Sequence, residues 1–173
     1  MARLTDADFA SVFATRVRPL RRTAYLLCGD WARAEDLVQT AFVRTYAGWG
    51  RIRDLGAVDA YLRTTLTHVY LDDARRLWSG EVPTEAVPDV PDVVTGSSAD
   101  ATDDRLALMA ALQRVPPRQR ACLVLRFFDD CSVEETSLVL GCSEGTVKSN
   151  TARGLDALRS RLLPDLTIRS NPS

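Results

Sequence analysis

Apolar positions in this chain recur at helical spacing in blocks, and the blocks are interrupted once by a long stretch without such spacing. Leu37, Val38, Ala41, Phe42, Thr45, Tyr46 and Trp49 alternate at steps of one and three, which places them on one broad face of a helix. Before them, the pattern predicts a helix from about Asp6 to Cys28. Gly29 is suited to end it and Asp30 to cap the next. A third helix is expected over Val58 to Trp78, with Leu62, Leu66, Val69 and Leu77 inward. No segment sustains the period-two alternation of a half-buried strand.

Beyond the interruption, Leu106 to Leu112 belongs to a fourth helix. Pro116 and Pro117 end it and supply the first turn of a fifth, Arg118 to Phe128. Ser132-Val133-Glu134-Glu135 has the form of a capping box, in which hydroxyl and carboxylate satisfy two free backbone donors. A short helix follows to Leu140. Gly141 permits a left-handed turn, and Ser143 caps a last helix reaching about Leu162.

The fold class expected is therefore all-α, with two small helical domains joined by a flexible acidic linker. The limits are 1–78, 79–104 and 105–163, with a tail over 164–173. The linker from Ser79 to Asp104 carries Glu81, Glu85, Asp89, Asp92, Asp100, Asp103 and Asp104, with Pro83, Pro88 and Pro91 and no Lys or Arg. Proline removes backbone donors and clustered charge opposes collapse. The formal net charge of −1 thus hides two basic segments around an acidic one, since all 22 basic residues lie outside it. Basic segments suit a polyanion, but this imbalance alone points only weakly to nucleic acid.

The candidate chemistry is sparse. Cys28, Cys122, Cys131 and Cys142 form no CxxC pair and His68 is the only histidine, so zinc-ligand spacing is absent and four reduced thiols are expected. There is no Gly-rich phosphate loop and no His paired with a nucleophile motif. Asp72-Asp73 and Asp129-Asp130 are adjacent acids, which on a helix point about 100° apart and form no preset acid/base pair. Neither an enzyme nor a bound cofactor or metal is expected. No run approaches the roughly 20 apolar residues of a membrane span, and no signal peptide opens the chain, so a cytoplasmic location without membrane contact is expected.

Ser132 to Leu162 reads as a helix-turn-helix. On its second helix, Val147, Thr151, Leu155, Leu158 and Leu162 share the core side. Gly145, Thr146, Ser149, Ala152 and Arg153 face away, with Lys148 and Asn150 flanking them. Small residues allow close approach to a groove, and hydroxyl, amide and guanidinium groups bond base edges or phosphates. Spacing alone leaves open an ordinary helical hairpin with a solvated outer face.

Cys142-Ser143-Glu144-Gly145-Thr146-Val147-Lys148-Ser149 resembles the start of the recognition helix in region 4 of extracytoplasmic-function sigma factors, a group within the sigma-70 family. Val115-Pro116-Pro117-Arg118-Gln119-Arg120 and Leu125-Arg126-Phe127-Phe128 are similar to the opening of the same region. The resemblance implies binding of the upstream (−35) promoter element through Thr146, Lys148, Ser149, Asn150 and Arg153. Many members carry Arg at the position of Asn150.

Ala34-Glu35-Asp36-Leu37-Val38-Gln39, followed by Phe42, resembles family region 2, which grips the polymerase largest subunit. The implied contacts are Asp36, Leu37, Gln39, Thr40, Val43 and Arg44. Thr40 stands where the family often has Glu. Ala60 to Trp78 is similar to the part of region 2 that captures the non-template strand of the downstream (−10) element. The implied contacts there are Arg63, Thr64, Thr67, His68, Arg75 and Arg76, with His68 where many members have Asn. Asp73 adds negative charge near the basic end of this helix.

The partners implied are bacterial core RNA polymerase, promoter DNA and an anti-sigma factor. The rival reading is a stand-alone helix-turn-helix regulator. It lacks an evident dimerisation helix and leaves the Asp36 to Trp49 motif without a purpose.

Overall fold

The computed structural model describes residues 3–78 and 99–169. The described residues are helical throughout their ordered elements, with no strand among them. They form two compact units, one built from α1–α3 and the other from α4–α7.

In the first unit, α1 spans Asp6–Cys28. A capping box opens it: the Thr5 amide donates to Asp8 Oδ2 at 2.7 Å and the Asp8 amide to Thr5 Oγ1 at 3.3 Å. The Thr5 amide, together with the Thr5 hydroxyl that donates to the same oxygen at 2.8 Å, holds the Asp8 carboxyl below the usual carboxylate range. α1 ends as expected at Gly29, whose φ of 75° is the left-handed conformation that favours glycine. α2, Trp31–Ala47, is capped by Asp30, which accepts from the amides of Ala32 and Arg33 at 2.8 and 3.2 Å. Two short 3₁₀ turns, Trp49–Arg51 and Leu55–Ala57, lead into α3, Val58–Trp78.

The three helices bury Leu27, Ala34, Val38, Ala41, Phe42, Leu62, Leu66 and Tyr70 between them. Phe9 and Phe13 of α1 pack edge-on against Phe42, and Phe9 also meets Trp49 at 5.1 Å between ring centroids. Tyr46, expected inward with this group, is half exposed instead. It lies at the margin where α1 covers α2 incompletely, with its ring edge on Phe9 and its hydroxyl donating to Asp6 at 3.2 Å.

In the second unit, α4 spans Ala99–Gln113. The expected linker, 79–104, lies mostly outside the described residues, but Ala99–Asp104 is helix rather than linker. Acidic residues oppose collapse in a free chain, yet at a helix N-terminus they meet unpaired amides and a favourable dipole. α5, Pro117–Leu123, begins at the expected proline and runs into a single π turn, Val124–Phe128, where the Asp129 amide donates to the Val124 carbonyl at 3.0 Å. α6, Val133–Leu140, carries the predicted capping box, with the Ser132 amide 2.7 Å from Glu135 Oε2 and the Glu135 amide 3.0 Å from Ser132 Oγ.

Gly141 turns the chain with φ 63°, and α7 extends over Glu144–Arg169. The helix passes the expected end near Leu162 and takes in part of the expected tail. Pro164 removes one backbone hydrogen bond but does not stop a helix already established on its N-terminal side. All four cysteines are free thiols.

Candidate polymerase and promoter surfaces

Helix α2 divides along its length. Leu37 is only 4% exposed and belongs to the core, so its expected role as a polymerase contact is corrected: the side chain is packed within the unit rather than presented to solvent. Asp36, Gln39, Thr40, Val43 and Arg44 are all exposed and form the outward stripe. Val43, the apolar member of this stripe, is 70% exposed.

On α3, His68, Arg75 and Arg76 are exposed, while Arg63 and Thr64 are half-buried. Thr67 is corrected in the same way as Leu37. It is 1% exposed, and its hydroxyl donates to the Arg63 carbonyl at 2.8 Å, so it offers no group to DNA. Arg75 and Arg76 occupy the last turn, where cations also complement the helix dipole.

The two sets meet. A cleft of about 170 Å³ is lined by Arg33, Asp36, Leu37, Thr40 and Arg44 of α2 and by Val69, Asp72, Asp73 and Arg76 of α3. Arg33 Nη2 donates to Asp73 Oδ2 at 2.7 Å across it, and Arg44 Nη1 lies 3.7 Å from Asp72 Oδ2. These cross-helix pairs were not foreseen from the sequence, which carries no local signal for contacts between residues so far apart. Asp73, noted there only as an awkward negative charge, has its partner on the other helix.

In the second unit the expected division of α7 is present. Val147 is fully buried, Thr151, Leu155, Leu158 and Leu162 are half-buried, and Thr146, Lys148, Ser149, Ala152 and Arg153 are exposed. Asn150 is half-buried at the edge of the outer face. Ser143 caps the helix, accepting the Thr146 amide at 3.1 Å, and its oxygen lies 2.9 Å from the Thr146 hydroxyl. Arg118 of α5 holds the end of α6 by donating to the Leu140 carbonyl at 3.2 Å.

Sequence reasoning missed Gly154. It is buried against α5, and a β-carbon there would lie 3.0 Å from Leu123 Cδ1. A glycine on the inward face of an otherwise regular helix was the available signal.

Among the described residues, no cluster of three or more His, Cys, Asp or Glu is placed to hold a metal, and no helix is long and apolar enough to cross a membrane. The thiols of Cys28 and Cys122 are both shifted up by burial, Cys122 to about 11.

Residues 12–80 match the family model for Sigma-70 region 2, and residues 105–158 that for Sigma-70 region 4. The chain is 40% identical over 167 residues to the RNA polymerase sigma-E factor of Streptomyces coelicolor, covering 94% of this chain and 91% of that protein. It is 34% identical over 163 residues to the extracytoplasmic-function sigma factor SigM of Mycobacterium tuberculosis, covering 94% and 81% respectively. Among solved structures it resembles the sigma factor RpoE of Bartonella quintana, determined in complex with the anti-sigma factor NepR. That match has a TM-score of 0.72 and 26% identity, covering 90% of this chain and 96% of that one. The buried and exposed faces of α2, α3 and α7 and these matches lead to one assignment: the chain belongs to the extracytoplasmic-function sigma factors of the sigma-70 family.

Proposed function

We propose that each unit of this sigma factor serves a separate contact in transcription initiation. The outward stripe of α2, formed by Asp36, Gln39, Thr40, Val43 and Arg44, docks on core RNA polymerase. The exposed side of α3, with Arg63, Thr64, His68, Arg75 and Arg76, takes the opened strand of the downstream element. Cations hold its backbone, and polar or aromatic groups hold its bases. The outer face of α7, with Thr146, Lys148, Ser149, Asn150 and Arg153, enters the major groove of the upstream element. The working limits are 1–78 for the first unit and 99–169, from the start of α4 to the end of α7, for the second. As a non-catalytic initiation factor, the chain supplies recognition while polymerase supplies the chemistry. An anti-sigma factor is a further partner class, supported by the likeness to RpoE, and the setting is the cytoplasm.

The observation that carries this reading is the division of α7. Val147 anchors a capped helix whose opposite face is small, hydroxylated and basic. The test is transcription with purified core polymerase across variants of the upstream element. Arg153→Ala and Asn150→Ala are expected to reduce initiation at promoters that need this element, each lost base contact costing about 1–3 kcal/mol. Unchanged promoter preference and transcript yield in folded variants would remove α7 as the recognition element.

A further inference from the structure

Asp72 and Asp73 interrupt the basic end of α3, between His68 and Arg75-Arg76. Left to themselves, carboxylates in this turn would stand beside the cations that meet DNA phosphates and would repel the same phosphates. The fold turns both toward α2. Asp72 meets Arg44 loosely, at 3.7 Å, with both side chains about half exposed. Asp73 is held more firmly, by a 2.7 Å hydrogen bond from Arg33, with side-chain exposures of 32% and 37%. Arg33 is itself fixed at its backbone, because its amide is one of the two that Asp30 accepts.

We infer that Arg33 is a positioning residue for promoter capture: it holds Asp73 on the α2 side of α3, so that the end of α3 presents cations rather than a carboxylate to the DNA backbone. The inference rests on the reading of α3 as the promoter-strand surface. Arg33 need not touch DNA to act this way. A partly exposed ion pair adds little to stability, so its main effect is on where the negative charge sits. The effect is electrostatic and is weakened by salt.

The experiment compares holoenzymes assembled from core polymerase and four forms of the chain: wild type, Arg33→Gln, Asp73→Asn and the double variant. Two affinities are measured for each. One is for core polymerase. The other is for a fork-junction DNA exposing the non-template strand of the downstream element, at low and moderate salt. Arg33→Gln is expected to weaken fork binding about 2- to 5-fold at low salt and less at moderate salt, the size expected of one partly screened charge. Asp73→Asn binds at least as well as wild type. The double variant returns to the Asp73→Asn level, which loss of a structural contact would not produce. Core affinity is the same in all four, and Arg33→Lys, which keeps the charge, retains most of the binding.

A double variant as weak as Arg33→Gln would overturn the inference, as would wild-type fork binding by Arg33→Gln. A parallel Arg75→Ala/Arg76→Ala variant separates the two levels. If it weakens the fork complex while Arg33→Gln does not, the positioning role alone fails. If it leaves the complex unchanged, the promoter reading of α3 fails and the inference with it.

Discussion

The hydroxyl of Ser143 meets Thr146 twice, accepting its amide at 3.1 Å and lying 2.9 Å from its hydroxyl. One side chain therefore caps α7 and also fixes the rotamer of the first residue on the outer face. A DNA acceptor beside Thr146 is served when Ser143 donates inward and Thr146 donates outward, an arrangement that uses both protons. Ser143→Ala is expected to cost about 0.5–2 kcal/mol of stability through the lost cap. It should also lower upstream-element-dependent transcription beyond what the loss of folded protein explains. In a Thr146→Val background this second loss should shrink, because the two residues act as a unit. Thermal unfolding and reconstituted transcription on the four forms measure both effects, and equal transcription losses in the two backgrounds would separate the residues.

Gly154 lets α7 lie close on α5. Alanine is the better helix former by about 1 kcal/mol. Its β-carbon, however, would meet three side-chain atoms of Leu123 at 3.0 to 3.3 Å. Leu123 is buried and has little room to move aside. Overpacking of this kind costs about 1–3 kcal/mol, so Gly154→Ala should destabilise the second unit on balance. Adding Leu123→Ala should make the alanine at 154 less harmful than it is alone, a non-additivity read by denaturant unfolding of the four forms. Purely additive effects would show that the clash is relieved elsewhere.

Arg120 is a buried cation used as a clasp. Its guanidinium donates to the Gln113 side-chain oxygen at 2.8 Å, to the Gln113 carbonyl at 2.6 Å and to the Val115 carbonyl at 2.8 Å. It thereby satisfies backbone acceptors left open where α4 ends. Arg120→Met preserves the packing of the stem but strands these acceptors, at a cost of about 2–4 kcal/mol. Denaturant unfolding checks the cost, and hydrogen exchange should show α4 loosening first.

The thiol of Cys122 is pushed up to about 11 by burial, with a smaller contribution from Cys142. The folded state therefore keeps this proton at a pH where the unfolded chain, ionising near its ordinary value of 9.0, releases it. Stability from this group is fully present below about pH 9 and is lost as pH rises toward about 11. Unfolding midpoints of wild type should fall more steeply across that window than those of Cys122→Ala. Near pH 8, an alkylating reagent should reach the half-buried Cys142 first and Cys122 only after unfolding. Labelling of both at the same rate in the native protein would contradict this burial.

Helix identity and most helix ends were legible in the sequence because they depend on neighbours within a turn. Asp30, Ser132 with Glu135, and the left-handed glycines Gly29 and Gly141 act through bonds spanning two to five residues. The division of α7 was legible for the same reason, since Val147 and its outward neighbours are set by the helical period. Where local rules competed, the ends moved: α4 begins within the expected linker, and α7 continues past Pro164. Tertiary packing decided the rest. Leu37 and Thr67 are core residues despite lying in segments proposed to meet partners, and Tyr46 is half exposed despite its apolar stripe. In each case burial depends on how far a second helix extends over the first. The Arg33–Asp73 pair spans 40 residues and exists only because α2 and α3 pack side by side. A periodic pattern specifies which residues share a face of one helix. Which part of that face is covered, and which charges meet across it, is set by the position of the neighbouring helix.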